Sequence, residues 1–182
     1  VNTPSHLLIN AALRRQSGRT DIPRSAFLLG SVAPDLALAL LTVLFLVQQR
    51  GAPARSGAYD DLFFYHPLWI AAHNLLHSPL ALGVYLTLFW RYRRRPGTWG
   101  HWGWWFAVSC GLHTLVDLAT HVTDGPLLFW PLNWSLRFHS PISYWDPAHF
   151  GRQFFVVEIV LDVFLLAYLL GPRLLRRWSR MR

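Results

Sequence analysis

The sequence predicts an all-α fold: an integral membrane helix bundle of about four transmembrane helices, plus a short N-terminal helix. Three observations carry this expectation. Apolar residues make up 53% of the 182-residue chain and charged residues 14%, against roughly 25% charged in soluble domains, so too little charge remains to coat a water-facing surface. Four stretches are long and apolar enough to cross a bilayer, which takes about 20 residues. The chain also carries 10 Trp, a residue that favours membrane–water boundaries.

The elements follow in order. The N-terminus, VNTPSHLLINAALRR, places its charge after a short apolar run. A cleavable signal peptide would carry it before the run, so Pro4–Leu13 reads as a short helix. The first span covers Ser25–Val47. Its Pro34 either lies within the span or starts a helix, where Pro is tolerated and Asp35 is welcome; Ser25–Ala33 would then be a separate short element. The other spans are Leu68–Trp90, Trp102–Ala119 and Gln153–Leu170. Connections at Gly51–Pro53, Pro96–Gly97 and Gly125–Pro126 carry the Gly and Pro expected of loops. Residues 1–182 form a single domain, with Val122–Phe150 a long aromatic loop or cap.

The formal charge of +8 does not point to nucleic acid, because the arginines cluster at span ends. Arg14, Arg15, Arg19 and Arg24 precede the first span. Arg91 and Arg93–Arg95 lie between the second and third, and Arg173, Arg176, Arg177, Arg180 and Arg182 follow the fourth. The remaining connections hold only Arg50, Arg55, Arg137 and Arg152. By the positive-inside bias, both termini and the middle loop of this multi-pass membrane protein are cytoplasmic and 122–150 is extracytoplasmic. Trp90, Trp99, Trp102, Trp104 and Trp105 then form an inner belt, and Trp69, Trp130, Trp134 and Trp145 an outer one. The expected partners are membrane lipids; nothing in the sequence identifies a protein partner.

Ionisable groups in hydrocarbon are costly and normally face a cavity or a partner. The spans hold Asp35, then His73 and His77, then His113 and Asp117 with His121 just beyond, and finally Glu158 and Asp162. Steps of four put His73 with His77, and His113 with Asp117 and His121, on shared helix faces. At about 1.5 Å per residue, Asp35, His77, His113, Asp117 and Glu158 fall in one layer near mid-membrane. Imidazole and carboxylate are the ligand set expected for zinc or a similar divalent ion. His73 and His121, taken alone, also read as hydrogen-bonded packing residues. Glu158 and Asp162 read either as site acids or as buried acids with a structural partner. The other histidines, His66, His101, His139 and His149, read as loop or belt residues, with His139 and His149 also able to line an outer mouth. Cys110, the only Cys, excludes an internal disulfide and a thiolate cluster and reads as a small core residue.

The ordered blocks SHLLINAAL, GSVAPDLAL, HNLLHS, HTLVD and GPLLFWPLNWSLRF resemble the bacterial membrane-bound metal-dependent hydrolases, a family distantly similar to the zinc-dependent phospholipases C. The resemblance implies His6, Asp35, His77, His113 and Asp117 as metal ligands, with His73 and Ser78 as ligand or substrate neighbours. Where that family often has Arg-Gly after the first His of the pair, this chain has Asn74-Leu75. The expected chemistry is hydrolysis of a lipid or lipid-linked ester or phosphoester by water activated on one to three ions, zinc or another divalent metal. Asp35 or Glu158 would serve as base, and Ser78 would orient His77 or the substrate. Two alternatives stand beside this: a non-catalytic subunit of a larger complex that ligates haem or a chlorophyll-type pigment, and a proton or ion transporter. The sequence shows neither an inverted repeat nor a pair of interrupted helices in corresponding positions, which argues against transport.

Overall fold

Helix is the only extended secondary structure among the described residues. A computed structural model describes residues 1–49 and 57–179, with side chains as far as Pro172. The predicted loop at Gly51–Pro53 and the arginines at 50, 55, 180 and 182 lie outside the described residues, as do the side chains of Arg173, Arg176 and Arg177.

Helix α1 (Thr3–Gln16) begins at Pro4 and ends with Arg14 and Arg15 at the negative end of its dipole. The predicted first span is two helices, α2 (Arg24–Gly30) and α3 (Ala33–Gln48), bent by 48°. Pro34 has no N–H to continue the helix and opens α3 instead, which puts Asp35 in the first turn. A helix absent from the expectation, α4 (Ala58–Tyr65), comes next. The predicted second span is also interrupted, as α5 (Pro67–Asn74) and α6 (Pro79–Phe89). Pro79 removes a donor and disfavours helix at Ser78, and the Asn74 carbonyl takes both the His77 and Ser78 amides. The first break matches the reading of Ser25–Ala33 as a separate short element; the second, before Pro79, was not expected. The third stretch forms one continuous helix, α7 (Trp99–Thr120), which is not apolar enough to pass as a crossing; the fourth forms α8 (Gly151–Ser179), which does.

By length and hydropathy, α8 qualifies alone as a membrane crossing over Gly151–Pro172, with mean hydropathy 2.3, and α2 with α3 qualifies as one bent unit. The side chains of α8 mostly face outward, as a lipid-facing helix requires.

The packing is organised on α7. Helix α2 lies against it so closely that a Cβ on Gly30 would fall 2.5 Å from the Phe106 carbonyl. Helix α1 runs antiparallel to α7, with Asn10 Nδ2 donating to Ser109 Oγ at 2.8 Å. It runs parallel to α8, joined through Asn2 to Glu158, Ser5 to Asp162 and Arg15 to the Tyr168 and Leu169 carbonyls. Trp69, expected in the outer belt, is instead buried and meets Phe45 and Tyr59 edge-on. The 121–150 segment is irregular and folds back over the bundle. Leu80 N donates to Leu128 O, and Leu127 N donates to Asn74 Oδ1.

Candidate metal centre

Four side chains meet where the helices break. Asp35 comes from the first turn of α3, His77 from the α5–α6 interruption, and His113 and Asp117 from one face of α7, each with a potential ligand atom within 4.8 Å of the others. His77 Nε2 and His113 Nε2 are 2.9 Å apart. Asp117 Oδ2 lies 3.1 Å from the first and 3.0 Å from the second. Asp35 Oδ1 lies 3.6 Å and 3.3 Å from the same two nitrogens. A tetrahedral ion with bonds of about 2.0 Å needs ligand–ligand edges of about 3.3 Å, and the observed separations bracket that value.

Tautomer decides whether those nitrogens are lone pairs. His77 Nδ1 is 2.9 Å from the His73 carbonyl and His113 Nδ1 is 2.8 Å from the Ser31 carbonyl. A carbonyl only accepts, so each Nδ1 carries the proton and, in a neutral ring, each Nε2 is a bare acceptor. Two acceptor nitrogens and two carboxylate oxygens aimed at one point repel unless a cation sits among them. The donor set and its charge of two carboxylates therefore fit a divalent metal ion. Both orienting carbonyls are available because the helices break beside them.

His6 lies one layer out. The start of α1 enters the bundle, so His6 stacks on His113 at 3.5 Å and its Nε2 is 2.9 Å from Asp117 Oδ1. Its Nδ1 is buried without a partner. His121, just past α7, has Nε2 3.6 Å from Asp117 Oδ1 and Nδ1 3.1 Å from Asp124 Oδ1, the latter off the line of a hydrogen bond. His73 is buried and packs against His77 and Phe63; its imidazole is outside the four-residue set.

The structure does not bring Glu158 or Ser78 to the cluster. Both Glu158 oxygens accept from Asn2, at 2.7 Å from its amide and 2.8 Å from Nδ2. Ser78 Oγ donates to the Trp130 carbonyl at 3.0 Å, which ties the cap to the interruption. Asn74, at the position where an Arg was expected, also holds the cap through Leu127.

A cleft of about 800 Å³ reaches the cluster, with Asp35, His73, His77, Asp117 and His121 at its polar end and Leu38, Val43 and Phe63 along an apolar wall. Two of its residues were not anticipated. Thr3 Oγ1 donates to Asp35 Oδ2, and Tyr144 lines the cleft beside the His121 ring. Burial, followed by the Asp124, Asp117 and Asp35 carboxylates, pushes the Tyr144 phenol up to about 12, so it remains a donor. A hydroxyl leaves little trace in a hydropathy pattern, so neither residue stood out.

Fold and site together define a helical membrane protein with a candidate metal centre buried at its helix breaks. The chain belongs to the YdjM inner membrane protein family, which it matches over residues 4–178, and it is accordingly a bacterial inner-membrane protein. No curated protein and no solved structure matches it. The family description states a location, and none of these comparisons supports the expected likeness to hydrolases or phospholipases C.

Proposed function

We propose that the chain is a membrane-embedded, metal-dependent hydrolase acting on an ester or phosphoester of a lipid or lipid-linked substrate. The observation that carries this reading is the convergence of His77 Nε2, His113 Nε2, Asp117 Oδ2 and Asp35 Oδ1 at the end of a cleft with an apolar wall. These four residues would hold zinc or a similar ion. Any further ion would fall to Asp117 Oδ1 with His6 and His121. A bound ion of this kind lowers the pKa of water toward 7 and polarises an ester oxygen. Asp35, the most accessible of the four with its side chain 28% exposed, would accept the proton of an attacking water. Tyr144 would donate to the substrate, and the leucine and aromatic wall would hold an acyl or isoprenoid chain.

In the proposed arrangement α2–α3, α5–α6, α7 and α8 cross the membrane, the arginine-rich ends are cytoplasmic, and the 122–150 cap lies outside. Chelator-free purification followed by metal quantification tests the centre. At least one equivalent of metal is expected in the wild type and far less in His77→Ala and Asp117→Ala, together with chelator-reversible hydrolysis of phospholipids or lipid-linked phosphates. Substoichiometric metal that is unchanged in both variants overturns the proposal. The two interrupted helices favour a second reading, ion or proton transport. Flux in proteoliposomes without hydrolysis would select it.

A further inference from the structure

A second cavity lies toward the other end of α1. A groove of about 650 Å³ runs between α1, α2 and the C-terminal half of α8, within the range of roughly 300–1,000 Å³ typical of ligand pockets. Leu7, Leu8, Leu28, Leu166, Leu169 and Leu170 make its wall, and Arg14, Arg15 and Arg24 lie at its charged end.

Two of these guanidiniums are fixed by backbone carbonyls, which orient a charge without neutralising it. Pro172 has no N–H, so the Tyr168 carbonyl, four residues earlier, lacks its helical donor. Arg15 Nη1 donates to that carbonyl and to Leu169 O at 3.1 Å, and the guanidinium lies over the Tyr168 ring at 4.5 Å. Arg14 donates through Nε and Nη2 to the Ile22 carbonyl, at 3.3 Å and 3.0 Å. Each keeps further N–H groups to offer. Arg24 has no side-chain hydrogen bond among the described residues. No carboxylate lines the groove. Asp21 is taken by Arg19, and residues 173–182 contain no acid.

We propose that this groove binds one anionic phospholipid, its phosphate on Arg14, Arg15 and Arg24 and an acyl chain along the leucine wall. Guanidinium matches phosphate in charge and in its paired N–H geometry. In the proposed topology the groove opens to the cytoplasmic leaflet, where basic pockets between helices attract anionic headgroups. A zwitterionic lipid fills the slot and leaves the positive charge unmatched, whereas inorganic phosphate matches the charge and leaves the slot unfilled. The site does not depend on the metal chemistry.

Native mass spectrometry of the delipidated full chain, titrated with phosphatidylglycerol, with phosphatidylcholine of the same acyl chains, and with inorganic phosphate, tests the inference. The wild type is expected to retain one phosphatidylglycerol per chain with at least tenfold preference over phosphatidylcholine. Arg24→Gln, which breaks no hydrogen bond among the described residues, is expected to cut that preference at least threefold, and Arg14→Gln with Arg24→Gln to abolish it. Leu28→Trp, which fills the slot and keeps the arginines, is expected to reduce retention, and Arg94→Gln, in another basic cluster, to change nothing. Equal retention of the two lipids by the wild type, or an undiminished preference in the double variant, overturns the proposal. Complete displacement of phosphatidylglycerol by equimolar inorganic phosphate overturns the part played by the acyl slot.

Discussion

At the scale of single residues, the centre depends on which nitrogen of each imidazole is protonated and on what holds the carboxylates. Asp35 is held at its outer oxygen by Thr3. Groups that orient a metal ligand typically contribute 10–100-fold in affinity. Thr3→Val is therefore expected to weaken metal binding by about 10-fold or more, read by competition with a chelator, with an unchanged circular dichroism spectrum. Asp35, His77, His113 and Asp117 were legible in the sequence because a charged or imidazole group inside an apolar span needs a reason to be there. Thr3 and Tyr144 were not, because both lie outside the apolar spans, where a hydroxyl needs no special reason. His6 was implied by resemblance alone; its position in the sequence, ahead of an arginine cluster, left open whether α1 enters the bundle, and the structure directs its first turn inward.

At the scale of elements, spacing identified the faces and left their partners open. Glu158 and Asp162 do share a face of α8, and that face meets α1. Both acids serve as a clasp on the start of α1, where one was expected to act as a base. Hydrogen bonds to charged groups contribute about 1.5–3 kcal/mol each. Glu158→Ala, which removes two such bonds, is accordingly expected to lower the unfolding free energy by about 3 kcal/mol or more, and Glu158→Gln by less, measured by denaturant titration in detergent micelles. The interruption of α5–α6 was hidden for a different reason. His73 and His77 sit one turn apart whether or not the helix continues between them. Part of what stabilises the break is the cap, some fifty residues away, which takes the Asn74 and Ser78 side chains.

At the scale of the whole molecule, four apolar stretches were visible and all four became helical, yet among the described residues only α8 stands as one uninterrupted crossing; α7 is continuous but too polar by hydropathy, and the other two stretches are broken. Hydropathy averaged over a window does not register a two-residue break. The proposed orientation has a direct test. In a Cys110→Ala background, Leu132→Cys in the exposed part of the cap is expected to react with an impermeant maleimide from the periplasmic side. Arg94→Cys is expected to react only after the membrane is opened. The reverse pattern would invert the topology and place the cleft on the cytoplasmic face.

The bend between α2 and α3 reaches further than its 48° indicates. In an unbroken rod the Ser31 carbonyl would belong to the helical ladder. Because the rod snaps there, that oxygen is free to select the basic nitrogen of a ring on another helix. In the proposed centre, affinity for a cation would thus be encoded partly in main chain that no list of side-chain ligands includes. A substitution that merely straightened this joint would silence the centre while every ligand stayed in place.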